Sequence, residues 1–151
     1  MFDVIFEKRV TVRSYEVDFR LHCRPHTLLD YLQDASVEHA EALGWGIDTL
    51  FTRGLTWVLS RYHVAMDRLP RMGERLTVRT WPSAHDERRA WREFEIVDQQ
   101  ERSVARATGT YVMVDLATKR PVALAEKLGE MIEDSRAVMP RDFPRLEAVD
   151  E

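Results

Sequence analysis

The sequence predicts an α+β domain in which one long helix packs against one antiparallel sheet. A single extended helical pattern follows the first strand, and most of the chain beyond it alternates apolar and polar residues with a period of two. Short turns separate these alternating segments, and strands joined by short turns pair antiparallel. One helix covers only one side of a sheet, so the other side is left for water, a ligand or a second subunit.

Composition limits the classes of protein that the chain can belong to. Its 151 residues suit one domain, and 22 Lys and Arg against 26 Asp and Glu give a net charge of −4, which argues against a basic nucleic-acid binder. Cys23 is the only cysteine, so no internal disulfide forms and no Cys/His cluster suggests zinc. No apolar stretch is long enough for a membrane span, and the acidic start is unlike a signal peptide. We expect a cytoplasmic domain without metal, cofactor, nucleic-acid or membrane partner.

The helix is predicted to begin at Pro25 and to end at Leu43, before Gly44. Proline is favoured at the first helical position, and glycine commonly follows the last one. Nineteen residues give a helix of roughly 28 Å, which is long for so small a domain. One wide stripe of the helix is apolar or small, and it comprises Leu28, Leu32, Ala35, Ser36, His39 and Leu43. A stripe of this width requires a large covering surface, such as a sheet.

The strands are predicted from alternation and from the turn residues between them. They span residues 2–13, 55–66, 74–81, 88–98 and 103–115, with turns at 70–73, 82–86 and 98–101. The polar segment 14–24 is interpreted as a loop, residues 45–54 as a short helical turn and a loop, and 125–133 as a short terminal helix. We expect one domain over 1–139 and a loose acidic tail over 140–151. Trp91 is interpreted as facing outwards, which favours a second subunit.

Several blocks of the sequence resemble one enzyme family in unbroken order from about residue 10 to 122. The blocks are VRSYEV at 12–17, LLDYLQDASVEHA at 28–40, LTWVLSR at 55–61, MDRLP at 66–70, VMVD at 112–115 and TKRP at 118–121. Together they are similar to the amino-terminal half of the fatty acyl-acyl carrier protein thioesterases. The resemblance implies the hotdog fold, a long central helix wrapped by a curved antiparallel sheet of five or six strands, assembled as a homodimer or homotetramer.

The resemblance also implies where catalytic residues are not to be expected. Plant members of the family carry two hotdog units in one chain, and their catalytic residues lie in the second unit. This sequence corresponds to the first unit, so none of those positions is carried over. A single-unit enzyme would need a partner copy and a catalytic group of its own.

Thioester hydrolysis needs a polarised carbonyl and a nucleophile or a base. The helix N-terminus near Pro25, His26 and Thr27 presents unpaired N–H groups, so we expect His26 and Thr27 to bind substrate. Asp18 lies just upstream, in a segment that resembles single-unit 4-hydroxybenzoyl-CoA thioesterases, in which an aspartate attacks the thioester or activates water. Leu21 occupies the place of a glycine in that pattern. The alternative is that Asp18 pairs with a nearby arginine or caps a turn.

Other polar residues around the helix are weaker candidates. His22 flanks the helix start and could shuttle a proton. Glu38 and Asp34 share a helix face and offer a second place for a catalytic carboxylate, although such a face is more often simply solvated. Gln33 either hydrogen-bonds a water or the thioester oxygen, or packs at the core edge. His39 falls within the apolar stripe and is interpreted as a core histidine.

Two further groups are candidates for binding the substrate. Trp57 either lines an acyl channel or packs in the core. Arg88 and Arg89, with Arg92 on the same strand, could hold the phosphates of coenzyme A or of a carrier-protein arm, or could form a solvated strand edge. Cys23 is interpreted as a passive buried thiol, because a nucleophilic cysteine needs a base and a lowered pKa.

The sequence therefore predicts an acyl thioesterase that releases a free acid from an acyl-acyl carrier protein or acyl-CoA thioester. The alternative is a non-catalytic module that binds the same thioesters. Dehydratases and hydratases of this fold carry His-Phe-Pro or Asp-x-Asn-Pro-x-His motifs, and neither motif is present in this sequence.

Overall fold

Five strands and two helices make up residues 5–124, the part of the chain that the computed structural model describes. In chain order they are β1 Phe6–Thr11, α1 Pro25–Ala42, α2 Ile47–Thr52, β2 Leu55–Met66, β3 Arg75–His85, β4 Arg89–Val97 and β5 Ser103–Asp115. One turn of 3₁₀-helix, Ser14–Glu16, lies between β1 and α1. The predicted terminal helix at 125–133, the tail at 140–151 and the first residues of the predicted N-terminal strand lie outside the described residues.

The five strands form one antiparallel sheet in the order β1-β3-β4-β5-β2. The consecutive strands β3, β4 and β5 form a meander, while β1 and β2 occupy its two edges. This arrangement confirms the predicted α+β class, in which a single helix covers one side of one sheet. β2 is twelve residues long, so it presents a long strand edge.

Helix α1 packs its buried face on β1 and β3. Leu28, Leu32 and Ala35 are fully or almost fully buried, and they join Val78 and Phe94 of the sheet in the main apolar core. Burying a large apolar side chain such as Leu28 or Leu32 contributes roughly 1.5–3 kcal/mol, so this contact is a substantial source of the unit's stability. The predicted helix boundaries are confirmed to within one residue, since α1 begins at Pro25 and Gly44 follows it with a φ of 85°.

The strand β3 differs from its prediction. Residues 82–86 were predicted to form a turn, but β3 continues to His85, and the turn instead follows at residues 86–88. The register between β3 and β4 shifts between Pro82 and Ala84, and such a bulge tolerates a proline inside a strand. Asp86 stabilises the actual turn, because its Oδ1 accepts hydrogen bonds from the backbone N–H groups of Arg88 and Arg89.

The two faces of the sheet have different surroundings. We call the face against α1 the inner face, and Phe94 and Arg92 of β4 point to it. Trp91 and Glu93 point to the opposite, outer face, because side chains alternate along a strand. The outward direction predicted for Trp91 is correct, but the side chain is only 8% exposed within this chain, so it gives no argument for a second subunit.

Neither described helix combines the length and the apolar character that crossing a bilayer requires.

The buried helix face yields the first testable prediction. Leu32→Ala is expected to lower the free energy of unfolding by about 2–5 kcal/mol, because Leu32 is 1% exposed and its loss leaves a cavity between α1 and the sheet. The neighbouring Gln33 is exposed, so Gln33→Ala is expected to change stability by less than about 0.5 kcal/mol. Urea unfolding followed by circular dichroism measures both variants. Equal effects of the two substitutions would contradict the packing described here.

Candidate functional site

A tight loop directly before α1 positions Asp18. Val17 and Cys23 form an isolated antiparallel bridge, and the backbone N–H of Asp18 donates to the carbonyl of His22 at 2.9 Å. The Oδ1 atom of Asp18 accepts hydrogen bonds from the backbone N–H groups of Arg20 at 2.9 Å and His22 at 3.1 Å. One carboxylate oxygen of Asp18 therefore holds the loop closed, which agrees with the alternative that Asp18 caps a turn. Within residues 5–124, the Oδ2 atom of Asp18 receives no hydrogen bond.

The loop needs a left-handed backbone at Leu21. Leu21 has a φ of 64°, in the region that favours glycine, and it stands where the resembling thioesterase pattern has glycine. The conformation is held by the hydrogen bond from the Leu21 N–H to the Asp18 carbonyl and by that from the Met72 N–H to the Leu21 carbonyl. The leucine therefore preserves the loop geometry expected of a glycine, at some cost in backbone strain.

The hydrogen bonds around Asp18 determine its charge. Burial of the carboxylate works to raise the pKa of Asp18, but the backbone N–H groups of His22 and Arg20 outweigh it and hold the pKa below its ordinary value of 3.8. Asp18 is therefore ionised at neutral pH. A carboxylate in this state serves as a nucleophile or as an acceptor that orients water, and it does not serve as a general acid.

The N-terminus of α1 follows the loop after two residues. No side chain caps the helix, and Pro25 occupies its first turn. His26 is exposed at this end, whereas Thr27 is buried, with its Oγ1 directed at the carbonyl of Glu16 at 3.5 Å. His22 is half-buried and bridges to Arg71 at the start of the segment leading into β3. The structure thus brings Asp18, His22, His26 and Thr27 to the same end of the helix.

Beneath this end, a half-buried group of hydrogen bonds around Glu16 fixes the helix to the loop. Tyr31 donates its hydroxyl to Oε1 of Glu16 at 2.8 Å, and the backbone N–H of Arg13 donates to the same atom at 2.8 Å. Cys23 is fully buried beside them. Burial, together with the negative charge of Glu16, raises the pKa of Cys23 to about 11. The thiol is therefore protonated at neutral pH, in agreement with the passive role expected for it.

Glu38, Asp34 and Gln33 lie away from this end. Lys8 of β1 donates to Glu38 at 2.6 Å and to Asp34 at 2.5 Å, so both carboxylates are ion-paired on an exposed helix face. Gln33 is exposed, so the alternative that it packs at the core edge is wrong. The arrangement of Asp34 and Glu38 corresponds to the solvated-face alternative, although it adds a lysine that the sequence pattern did not indicate.

The remaining predicted binding residues lie toward the other end of the sheet. Trp57 is half-buried against the second apolar cluster, around Leu50 and Met113, and its ring meets the edge of Tyr111 at a centroid distance of 6.4 Å. Arg88 and Arg89 line an open pocket at the turn between β3 and β4. This turn and the start of α1 lie at opposite ends of β3, roughly 30 Å apart. Within one chain, these arginines therefore do not reach Asp18.

A polar cluster on the inner face was not predicted from the sequence. We define the inner polar cluster as His39, Thr80, Arg92, Tyr62 and Tyr111. Arg92 approaches His39 Nδ1 at 2.7 Å and donates to Thr80 Oγ1 at 3.3 Å, while the hydroxyls of Tyr62 and Tyr111 lie 3.4 Å apart. The prediction grouped Arg92 with Arg88 and Arg89, but the alternation along β4 turns Arg92 inward. Knowing the strand register to within one residue would have shown that the side chain of Arg92 points to the inner face.

Burial keeps His39 neutral. Desolvation, reinforced by the positive charge of Arg92, lowers the pKa of His39 from 6.5 to about 4. The ring also stacks on Phe6 at a centroid distance of 5.4 Å. The prediction of a buried core histidine is confirmed, and its partner is the guanidinium of Arg92.

Among residues 5–124, no group of three or more His, Cys, Asp or Glu side chains has the geometry to hold a metal ion.

Comparison with known proteins defines first the fold class and then the family. An acyl-ACP thioesterase from Bacteroides thetaiotaomicron superposes with a TM-score of 0.82 at 25% identity, covering 93% of this chain and 58% of that one. A DHNA-CoA thioesterase from Staphylococcus aureus superposes with a TM-score of 0.75 at 14% identity, covering 82% and 83% of the two chains, which shows the shared fold. The chain thus has the hotdog fold of thioesterases.

The family model of the acyl-ACP thioesterase N-terminal domain matches residues 3–132. The chain belongs to this family. A chloroplastic palmitoyl-acyl carrier protein thioesterase of Gossypium hirsutum is 27% identical over 159 residues, which cover 98% of this chain and 38% of the relative. The chain therefore spans about two fifths of the length of the curated relatives it matches.

The buried histidine predicts a pH dependence of stability. His39 stays neutral in the folded chain down to about pH 4, whereas an unfolded chain protonates it near 6.5. The unfolded state thus binds more protons in this window, so the free energy of unfolding is expected to fall as pH drops from 6.5 to about 4. The contribution of His39 is on the order of 3 kcal/mol at most.

His39→Gln keeps an acceptor for Arg92 and removes the titration. Its stability is expected to depend less steeply on pH in the same window, as measured by thermal unfolding at pH 4.5 to 7 (roughly the window between the two pKa values). Identical slopes for the two proteins would show that His39 is not the buried neutral group described here.

Proposed function

We propose that this chain is the hotdog unit of an acyl thioesterase, which hydrolyses an acyl-acyl carrier protein or acyl-CoA thioester to a free acid and a thiol. The observation that carries the proposal is the ionised carboxylate of Asp18 beside the uncapped N-terminus of α1, in a chain of the acyl-ACP thioesterase family. The two groups are those that thioester hydrolysis needs, an electropositive site for the carbonyl oxygen and an anionic nucleophile or base.

In the proposed reaction, the backbone N–H of His26 in the first turn of α1 polarises the thioester carbonyl, because Pro25 has no N–H and the N–H of the buried Thr27 donates to the Arg24 carbonyl. The Oδ2 atom of Asp18 either attacks the carbonyl carbon or takes a proton from an attacking water. The C–S bond then breaks, and the thiol leaves as a thiolate without strong acid assistance, because its pKa is near that of cysteine, about 8.5. If Asp18 attacks directly, water hydrolyses the resulting anhydride and regenerates the carboxylate. In this proposal, His22 relays the proton at this end of the helix.

Exposed arginines near the N-terminus of α1 support the proposal that the site binds an anionic carrier arm. Arg20, Arg24 and Arg71 are all exposed, and among residues 5–124 none of them forms a salt bridge. Phosphate groups of coenzyme A or of a carrier-protein arm carry the complementary charge. Arg88 and Arg89 remain proposed phosphate ligands, although Arg89 is already paired with Asp86 at 2.7 Å.

A second copy of the chain is part of the proposal. The edge strand β2 carries Val58 and Leu59, which are 41% and 36% exposed. A long edge with apolar side chains is prone to pair with another strand. Pairing of two β2 edges would make a homodimer, which could bring Arg88 or Arg89 of one copy to the Asp18 loop of the other; Glu38, which pairs with Lys8 at the opposite sheet edge, lies away from this interface. We further propose a cytoplasmic location and a single domain over 1–139.

One observation favours the non-catalytic alternative. The Oδ1 atom of Asp18 is fully used in closing its own loop, so the residue has a structural role that needs no chemistry. A module that binds acyl thioesters without hydrolysing them would keep the same loop and helix. The two proposals differ in whether the protein needs the negative charge of Asp18 for its function.

Asp18→Asn separates the two roles, since the amide oxygen still accepts both backbone hydrogen bonds but the negative charge is lost. The variant is expected to unfold within a few degrees of the wild-type temperature, while kcat for acyl-CoA hydrolysis falls about 10²- to 10⁴-fold. Thiol release followed with a chromogenic disulfide measures the rate. Asp18→Ala serves as the contrast, because it removes the loop contacts as well as the charge.

Full activity in Asp18→Asn would assign Asp18 to loop closure alone. An absence of hydrolysis in the wild-type protein, together with measurable binding of acyl-CoA, would favour the binding module.

Val58→Lys tests the proposed edge pairing. A lysine on the β2 edge is expected to shift the protein from dimer to monomer in light scattering coupled to size exclusion, because burying its charge opposes strand pairing. Ile5→Lys is the matched control, since Ile5 is exposed beside the opposite edge strand, β1. A dimer that survives Val58→Lys, or a wild-type monomer, would contradict pairing through β2.

A further inference from the structure

Exposed apolar side chains gather at the loop that enters α1. Phe19 is 94% exposed and Tyr15 is 77% exposed, while Leu21 and Met72 are 42% and 44% exposed. The backbone N–H of Met72 donates to the carbonyl of Leu21 at 2.9 Å, so the segment before β3 lies against the tip of the loop. A single exposed apolar residue is ordinary on a protein surface, whereas several beside one another indicate an interaction site.

Three exposed arginines lie among these apolar side chains. Arg24 donates from Nη1 to the carbonyl of Tyr15 at 3.3 Å. Arg71 forms a backbone bridge with His22, and Arg20 belongs to the loop itself. No carboxylate within residues 5–124 forms an ion pair with any of the three. We call the four apolar residues and these three arginines the loop patch.

The carboxylates beside the loop patch are already engaged. Glu16 accepts hydrogen bonds from the hydroxyl of Tyr31 and from the backbone N–H of Arg13, both at 2.8 Å. The Oδ1 atom of Asp18 accepts from two backbone N–H groups of its own loop. The patch is therefore rich in positive charge that is available to a partner, although the whole chain has a net charge of −4.

The fold holds the loop patch in place without using its apolar surface. The left-handed backbone at Leu21, with a φ of 64°, and the hydrogen bonds that close the loop fix the positions from which Phe19 and Arg20 project. Phe19 is almost fully exposed, so its ring contributes little to the core. An aromatic side chain presented from a fixed backbone is typical of the residues that dominate the affinity of protein interfaces.

Charge and position indicate which partner fits the patch. In a symmetric dimer formed through this surface, the arginines of one copy would face those of the other, which opposes self-association here. A partner with acidic side chains around an apolar contact complements the patch in both respects. Because Phe19 directly follows Asp18 in the sequence, such a partner would meet the chain beside the place where the thioester is proposed to react.

We propose that the loop patch docks the protein part of an acyl carrier protein, with Phe19 in an apolar contact and the arginines paired with acidic side chains around it. The inference rests on the proposed thioesterase function, and of the two carriers named there it selects the carrier protein. Coenzyme A matches the arginines through its phosphates, but its single adenine ring covers at most one aromatic side chain. A patch that spreads over two chain segments requires the larger contact surface of a protein.

Phe19→Ser tests the docking surface without altering any charge. Hydrolysis of hexadecanoyl-acyl carrier protein and of hexadecanoyl-CoA is measured for the wild type and the variant. The variant is expected to lower kcat/KM for the carrier-protein ester at least about tenfold, mainly through KM, and to keep the value for the CoA ester within about twofold. Phe51→Ser is the matched control, since Phe51 is an exposed phenylalanine of α2, and it is expected to leave both values unchanged.

Binding of a carrier protein that holds no acyl group separates docking from hydrolysis. Calorimetry with the Asp18→Asn protein and a holo acyl carrier protein, whose arm ends in a free thiol, measures this binding. Phe19→Ser and Arg20→Glu, each added to Asp18→Asn, are expected to weaken it at least about tenfold. Arg120→Glu is the matched charge control, because Arg120 is exposed beside the far end of β5, and it is expected to leave the binding unchanged.

Equal effects of Phe19→Ser on the two esters, or no effect on either, would overturn the inference. A dimer that becomes a monomer in Phe19→Ser would assign the patch to a contact between copies and would also overturn it. The same holds for Phe19-dependent binding to phosphatidylglycerol vesicles without binding to the carrier protein, which would assign the patch to a lipid surface. Phe19-dependent binding of the carrier protein without hydrolysis of either ester would overturn the proposed function and leave this inference standing.

Discussion

The burial of one face of α1 against the inner face of the sheet is the constraint on which the rest of the structure depends. Leu28, Leu32 and Ala35 reach the sheet only if the helix lies along it in one rotation. That rotation places Asp34 and Glu38 on the exposed side and His39 on the buried side. Because the start of the helix is fixed at the same time, the loop that enters it can hold Asp18 in a defined position.

The loop and the helix N-terminus act as one unit. The bridge between Val17 and Cys23 closes the loop, and Glu16 ties the preceding 3₁₀ turn to Tyr31 of the helix. The same backbone N–H groups that close the loop also favour the ionised form of Asp18. The same two hydrogen bonds therefore close the loop and keep Asp18 ionised. For this reason, an experiment has to change the charge of Asp18 without changing the geometry of the loop.

Much of the fold could be predicted from the sequence, because its signals are local. Pro25 and Gly44 mark the ends of α1, and alternation places β2 and β5 at the observed residues. Pro82 misled the prediction, since a register shift that tolerates proline depends on the pairing with β4, which the sequence does not display. The site was predictable only in part: the loop carboxylate follows from a motif, whereas the contact between His39 and Arg92 joins residues 53 positions apart.

The central claim is that the thioester binds where the Asp18 loop meets the N-terminus of α1. A crystal structure of the Asp18→Asn protein with a bound acyl-CoA tests it most directly. The account predicts the thioester oxygen about 3 Å from a backbone N–H in the first turn of α1, with the side chain of residue 18 beside the carbonyl carbon. A thioester bound elsewhere, such as in the pocket lined by Arg88 and Arg89, would contradict it.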